Sequence, residues 1–214
     1  LADAAHELRT PLTLMRTSLD LALRREQPPE ELREALRDAR AEVERLTRLA
    51  TALLDMAAAE RGWDRTPGDL AALVDDAAEA ARAAAEEHGV WLEVEAERPA
   101  HARFHPMALR QALDNLLANA LRFAPRGTAV TVQLARRGER WRLSVRDRGP
   151  GIPAEQLEAV FAPFHRLDRR GGAGLGLSIA REVMRQHQGT ATAETPEGRG
   201  ALVVLELPAT PSSS

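Results

Sequence analysis

Apolar residues fall at Leu1, Ala5, Leu8, Leu12, Met15, Leu19 and Ala22, with spacings that alternate between four and three. That is the heptad rhythm of a helix with one narrow apolar seam. A second seam runs through Leu32, Leu36, Ala39, Val43, Leu46, Ala50, Leu53 and Ala57. Between them stands Gln27-Pro28-Pro29-Glu30, where two prolines stop one helix and one of them can start the next. The pattern predicts an antiparallel two-helix hairpin over residues 1–60. Two such helices bury too little apolar surface alone, and a homodimeric four-helix bundle is the natural solution.

The periodicity stops after Ala59. Residues 61–68, Arg61-Gly62-Trp63-Asp64-Arg65-Thr66-Pro67-Gly68, are rich in turn formers and are expected to be a linker, with Trp63 as a packing anchor. Asp69 can cap a helix reaching His88, which Gly89 can close. Val90, Leu92 and Val94 alternate as a short strand. Pro106 to Phe123 presents Leu109, Ala112, Leu113, Leu116, Leu117 and Ala120 on one helical face. Strands are expected at 128–135 and 140–147, a helix from about Leu175 to His187, and a hairpin of 190–194 with 201–207 across Pro196-Glu197-Gly198. Helices mixed with strands taken as antiparallel predict an α+β chain, in which a two-layer α/β sandwich over 69–208 follows the hairpin. Residues 209–214 read as a frayed tail.

Composition narrows the chemistry. The chain has 214 residues, a net charge of −3 and no Cys, which excludes disulfides, thiolate metal sites and a Cys nucleophile. Mixed charge of both signs gives no nucleic-acid footprint. No apolar run approaches the roughly 18 residues of a membrane span. The chain begins on Leu1 inside a helical pattern, so a longer protein is expected upstream of it.

With Ala5 and Leu8 in the seam, His6 flanks it and faces solvent. Glu7 stands beside it, and Pro11 one turn later deprives the Glu7 carbonyl of its helical donor and bends the helix. Three features of the second half carry further chemistry. Asn115, Asn119 and Arg122 form a polar edge along one helix: an amide oxygen suits Mg²⁺, and a guanidinium suits phosphate. Asp147-Arg148-Gly149-Pro150-Gly151 follows a strand in which Trp141, Leu143 and Val145 share one side; if that is the core side, Asp147 points inward and needs a donor such as a purine amine. Gly172-Ala173-Gly174-Leu175-Gly176-Leu177 is a glycine loop entering a helix, able to offer backbone N–H groups to phosphate, though its spacing is neither that of a P-loop nor that of a dinucleotide fingerprint.

Taken together and in order, these runs resemble the sensor histidine kinases of two-component systems. His6-Glu7-Leu8-Arg9-Thr10-Pro11-Leu12 is similar to their H box and Asn115-Leu116-Leu117-Ala118-Asn119-Ala120 to their N box. Asp147 to Gly151 resembles the G1 box, Phe161-Ala162-Pro163-Phe164 the F box and Gly172 to Leu177 the G2 box. The resemblance implies a gyrase-like ATP-binding domain after a dimerisation and phosphotransfer hairpin. His6 would accept the γ-phosphoryl of ATP, Glu7 would fix its tautomer, and Thr10 would orient water for phosphatase chemistry. Asn119 would hold Mg²⁺ with Asn115 alongside, and Arg122 and Phe123 stand where the family contacts phosphate. Asp147 would read adenine, with Gly149 and Gly151 shaping its pocket. Gly172, Gly174 and Gly176, with Leu175 and Leu177, would form the lid entrance. A response-regulator receiver domain would be the partner. The chain would be a cytoplasmic domain whose upstream segments anchor the whole protein in the bacterial inner membrane.

Departures from the family pattern are local. Arg122-Phe123 replaces a Lys and a Tyr, His105 stands where Asp is frequent, and only seven residues separate Phe164 from Gly172. A short lid bears on nucleotide gating. It also motivates the rival reading, a phosphatase-biased or silent scaffold of the same fold. An ATPase or kinase of that fold without histidine transfer explains the second half but leaves the His6 helix unexplained.

Overall fold

The computed structural model describes residues 64–167, 174–196 and 200–209, with scattered positions between 16 and 43. The chain divides into two compact units, Leu1–Leu54 and Asp55–Ser214. In the first, the described residues from Glu30 to Val43 are helical, and the Leu32 N–H donates to the Pro28 carbonyl at 3.2 Å, so the helix starts beyond Pro28. Leu32, Leu36 and Val43, all members of the second seam, are 42%, 54% and 50% exposed in the single chain. The run from His6 to Leu12, including Glu7, Thr10 and the bend at Pro11, lies outside the described residues.

The second unit begins with strand β1 (Thr66–Asp69), where the sequence suggested linker. It pairs antiparallel with β3 (His101–Phe104) in a two-stranded ribbon. Gly68 permits this pairing: a methyl there would come within 2.8 Å of the Phe104 ring, which lies across the glycine. Helix α1 (Leu70–His88) starts on the Asp69 cap, whose carboxylate accepts the Ala71 N–H at 2.9 Å, and stops at Gly89 with φ 67°. Helix α2 (Pro106–Phe123) has Pro at its first turn and His105 as its cap, the ring Nδ1 accepting the Ala108 N–H at 3.2 Å. Histidine therefore does here what a capping Asp would do. Helix α3 (Gly176–Gln186) follows the glycine loop.

Five strands make the main sheet: β2 (Trp91–Ala96), β4 (Ala129–Arg137), β5 (Arg140–Arg146), β6 (Thr190–Glu194) and β7 (Leu202–Pro208), in the order β2-β4-β5-β7-β6. Three neighbouring pairs are antiparallel. The β2–β4 pair is parallel, which corrects the all-antiparallel expectation. A parallel pair needs a long crossover, and β3 with α2 supplies it. All three helices pack on one face, over Val130, Val132, Leu134, Trp141, Leu143, Val145, Val203, Leu205 and Leu207, each at most 9% exposed. The opposite face carries Arg142 and Arg146 on central β5, with Glu93 and Glu95 on β2 and Glu194 on β6 towards the edges. Arg142 lies 3.7 Å from Glu194, and Glu95 accepts a Gln133 amide hydrogen at 3.0 Å. That face is charge-balanced and solvated.

Candidate functional site

Helix α2 is the shelf of the site. Leu109, Leu113, Leu116, Leu117, Ala120 and Leu121 are buried, so Asn115, Asn119 and Arg122 are left half-buried along its edge. Gly176, the first residue of α3, sits against Asn115: a methyl on it would stand 3.5 Å from the Asn115 Oδ1. The Nδ2 of Asn115 is buried and makes no hydrogen bond, one of three such side-chain atoms among the described residues. A buried unpaired donor is costly, and an anionic oxygen brought to this edge would satisfy it. Arg122 lies over the Phe123 ring with its guanidinium carbon 4.9 Å from the centroid.

At the far end of α2 stands Asp147. Trp141, Leu143 and Val145 are each at most 2% exposed and Asp147 is 6% exposed, so the strand parity does carry this carboxylate into the core side. Its Oδ1 accepts two backbone N–H groups, from Gly149 at 2.7 Å and Ala201 at 3.2 Å. Both donors converge on one oxygen, and Oδ2 has no hydrogen bond among the described residues. Burial pushes the Asp147 carboxyl above its ordinary value, against the pull of the two N–H donors. The free Oδ2 is thus a strong acceptor awaiting a donor from outside.

The glycines beside it are steric requirements. A methyl on Gly149 would stand 2.6 Å from the Phe123 carbonyl oxygen, so this loop lies against the end of α2. Gly151 has φ 80°, and a methyl on it would stand 2.8 Å from the Thr195 methyl. Thr195 Oγ1 accepts the Ile152 N–H at 2.9 Å and donates to the Ile152 carbonyl at 2.7 Å, which pins the loop to the end of β6.

Two single 3-10 turns, Ala154–Gln156 and Ala159–Phe161, lead into the Phe161-Ala162-Pro163-Phe164 run. Phe161 is buried beneath the Arg181 guanidinium at 4.2 Å, and Arg181 also bonds Glu158 at 2.7 Å, which ties these turns to α3. Gly174 has φ 70° where the loop enters α3; a methyl there would meet the His165 carbonyl oxygen at 2.6 Å. Leu175 is buried and Leu177 half-buried, while Gly172 lies outside the described residues.

The structure therefore brings Asn115 to Gly176 at mid-helix and Phe123 to Gly149 and Asp147 at the helix end, with Asn119 between them. Among the described residues no cluster of three or more carboxylates and histidines could hold a metal by itself. A Mg²⁺ carried by a polyphosphate needs only an amide oxygen and waters from the protein, and the asparagine edge fits that demand. Sequence reasoning missed Thr195, Ala201, Gly200 and His187. His187 is 1% exposed: its Nδ1–H donates to the Val183 carbonyl at 2.7 Å, and its Nε2 accepts the His105 N–H at 2.9 Å.

Comparison with known proteins decides the family. Residues 104–211 match the Histidine kinase-, DNA gyrase B-, and HSP90-like ATPase family, and residues 1–62 match the His Kinase A (phospho-acceptor) domain. The chain belongs to the sensor histidine kinase family. It is 38% identical over 204 residues to the probable sensor histidine kinase TcrY of Mycobacterium tuberculosis, covering 92% of this chain and 43% of the relative. Among solved structures, the ATP binding domain of PrrB from Mycobacterium tuberculosis is 27% identical with a TM-score of 0.58, over 69% of this chain and 99% of that one. Histidine kinase ThkA in complex with the response regulator protein TrrA has the same fold, with a TM-score of 0.82 at 24% identity, over 100% of this chain and 62% of that one. This sensor histidine kinase chain spans under half the length of its curated relative.

Proposed function

We propose that this chain is the phosphotransfer and ATP-binding part of a sensor histidine kinase, which phosphorylates its own His6 from ATP and passes the phosphoryl group to a response-regulator aspartate. The observation that carries this reading is Asp147: a buried carboxylate with one oxygen saturated by backbone and the other free, at the end of the helix that bears the asparagine edge. Its Oδ2 accepts the exocyclic amine of adenine, with Gly149 and Gly151 admitting the ring. The edge Asn115, Asn119 and Arg122 faces the triphosphate, Asn119 would hold Mg²⁺ through its amide oxygen, and the glycines of the Gly172–Leu177 run bend the nucleotide lid into the following helix. When bound, the ion neutralises charge on the leaving oxygens.

Phosphoryl transfer needs mainly positioning and charge neutralisation, so the nucleophile can reside on a separate hairpin. His6 attacks with an unprotonated ring nitrogen, and Glu7 holds the proton on the other nitrogen. Residues 1–60 serve as the phosphotransfer unit and 69–208 as the ATP-binding domain. Exposed Leu32, Leu36 and Val43 support closure of the seam by a second copy. Thr10 orients water when the same hairpin dephosphorylates the regulator. Among the described residues no helix is long and apolar enough to cross a membrane.

Chain incubated with γ-labelled ATP and Mg²⁺ acquires label that is stable in base and labile in acid, and His6→Gln acquires none. The short run between Phe164 and Gly172 favours one second reading, a phosphatase-biased scaffold. ATP binding without labelling, together with intact dephosphorylation of a phosphorylated regulator, would select it.

A further inference from the structure

We propose that His187 is a positioning residue for the nucleotide site, holding α2 and α3 in register only while its ring is neutral. This rests on the nucleotide reading given above. The hydrogen-bond geometry fixes the tautomer. A carbonyl oxygen only accepts, so the 2.7 Å contact with Val183 places the proton on Nδ1; a backbone N–H only donates, so Nε2 meets His105 at 2.9 Å with its lone pair. Both partners are backbone groups that cannot turn away. A second proton on Nε2 would point at the His105 N–H and leave two donors facing each other in a site 1% exposed.

The bond joins the start of α2 to the end of α3. Asn115 and Gly176 touch further along the same pair of helices. From His105 to Asn115 is ten residues and from Gly176 to His187 eleven, so the helices run about 15 and 16.5 Å between the two junctions. Nearly equal lengths mean that two stiff rods are clamped at closely matched points. Release of the end clamp lets the rods shift, and Asn115 moves relative to the loop that it faces.

Among the described residues, Arg65 and His105 both oppose a positive charge on the ring; burial opposes it more strongly, and the Val183 bond offsets it only in part. On α3 itself, Glu182 is committed to Arg185 and Gln186. From β5, Arg140 donates to the Gln188 carbonyl at 3.4 Å. Because the folded ring protonates below the ordinary 6.5, the clamp is intact above that value and is lost as pH falls through the lowered one.

The test compares Mg²⁺–ATP affinity of the full chain and of His187→Gln between pH 7.5 and a lower pH at which nitrogen NMR shows the His187 ring protonated. Gln offers an acceptor that does not titrate, and the ratio of the two proteins at each pH cancels the titration of the nucleotide itself. The wild type should lose affinity relative to the variant by about fivefold or more on acidification, within the net worth of one hydrogen bond. Nitrogen NMR of His187 should show Nδ1–H and bare Nε2 at pH 7.5. A flat ratio, or a proton on Nε2 at pH 7.5, would overturn the inference while leaving the nucleotide reading intact. Absence of ATP binding by the wild type at pH 7.5 would overturn both.

Discussion

Asp147→Asn should lower ATP affinity by about two orders of magnitude or more while leaving the fold at least as stable. Asn is nearly isosteric, and its Oδ1 can keep the Gly149 and Ala201 N–H groups that now bond Asp147 Oδ1. Its NH₂ must then occupy the place of Oδ2 and present hydrogens to the adenine amine, donor against donor. A site built to pair one group rejects a mismatch far more strongly than the worth of a single bond, since buried polar groups on both sides are left unpaired. The carboxylate is held at a cost, because burial raises its pKa above the ordinary 3.8. Its neutral replacement removes that cost. Calorimetric titration with Mg²⁺–ATP and thermal melting check the two halves: affinity falls, and Tm holds or rises. A fall in Tm alongside affinity would assign the effect to folding.

Gly200→Ala should destabilise the second unit by about 3 kcal/mol or more. Gly200 has φ 95°, where an L side chain is strained, and a methyl there would collide with the Asp147 carbonyl, a backbone group with little freedom to yield. The same stretch of chain carries the Ala201 N–H to Asp147 and the Ala201 carbonyl that accepts the Asp147 N–H at 3.0 Å. Prying the strands apart therefore damages the site with the fold. Gly127→Ala is the control: φ is 76°, but nothing lies within 4 Å, so only the left-handed strain of about 1–2 kcal/mol remains. Denaturant unfolding of the two variants separates collision from backbone preference. Equal losses would contradict the steric account.

Periodicity and punctuation made much of the second unit legible. Helix α1 begins at the Asp69 cap and ends at Gly89, and α2 carries its apolar stripe between Pro106 and Phe123, because caps and 3.6-residue periodicity are local signals. Strand parity likewise aimed Asp147 inward. What was not legible depends on partners remote in the chain. β1 and β3 have four residues each, and β1 includes Pro67 and Gly68, which read as turn; only their pairing makes a ribbon. The parallel β2–β4 register is invisible locally for the same reason. In the site, the Thr195–Ile152 and Ala201–Asp147 bonds span 43 and 54 positions, and the His105–His187 bond spans 82. His105 stood out as a departure from a family pattern, and its capping of α2 supplies the physical reason that a His is tolerated there.

The most direct measurement is the position and dependence of the phosphoryl label. After incubation with γ-labelled ATP and Mg²⁺, fragment mapping under basic conditions should place the label on His6 in the wild-type chain and find none above background in Asp147→Asn. Label on another residue, or undiminished label on His6 in Asp147→Asn, would contradict the claim that a pocket built around Asp147 supplies the phosphoryl group to His6.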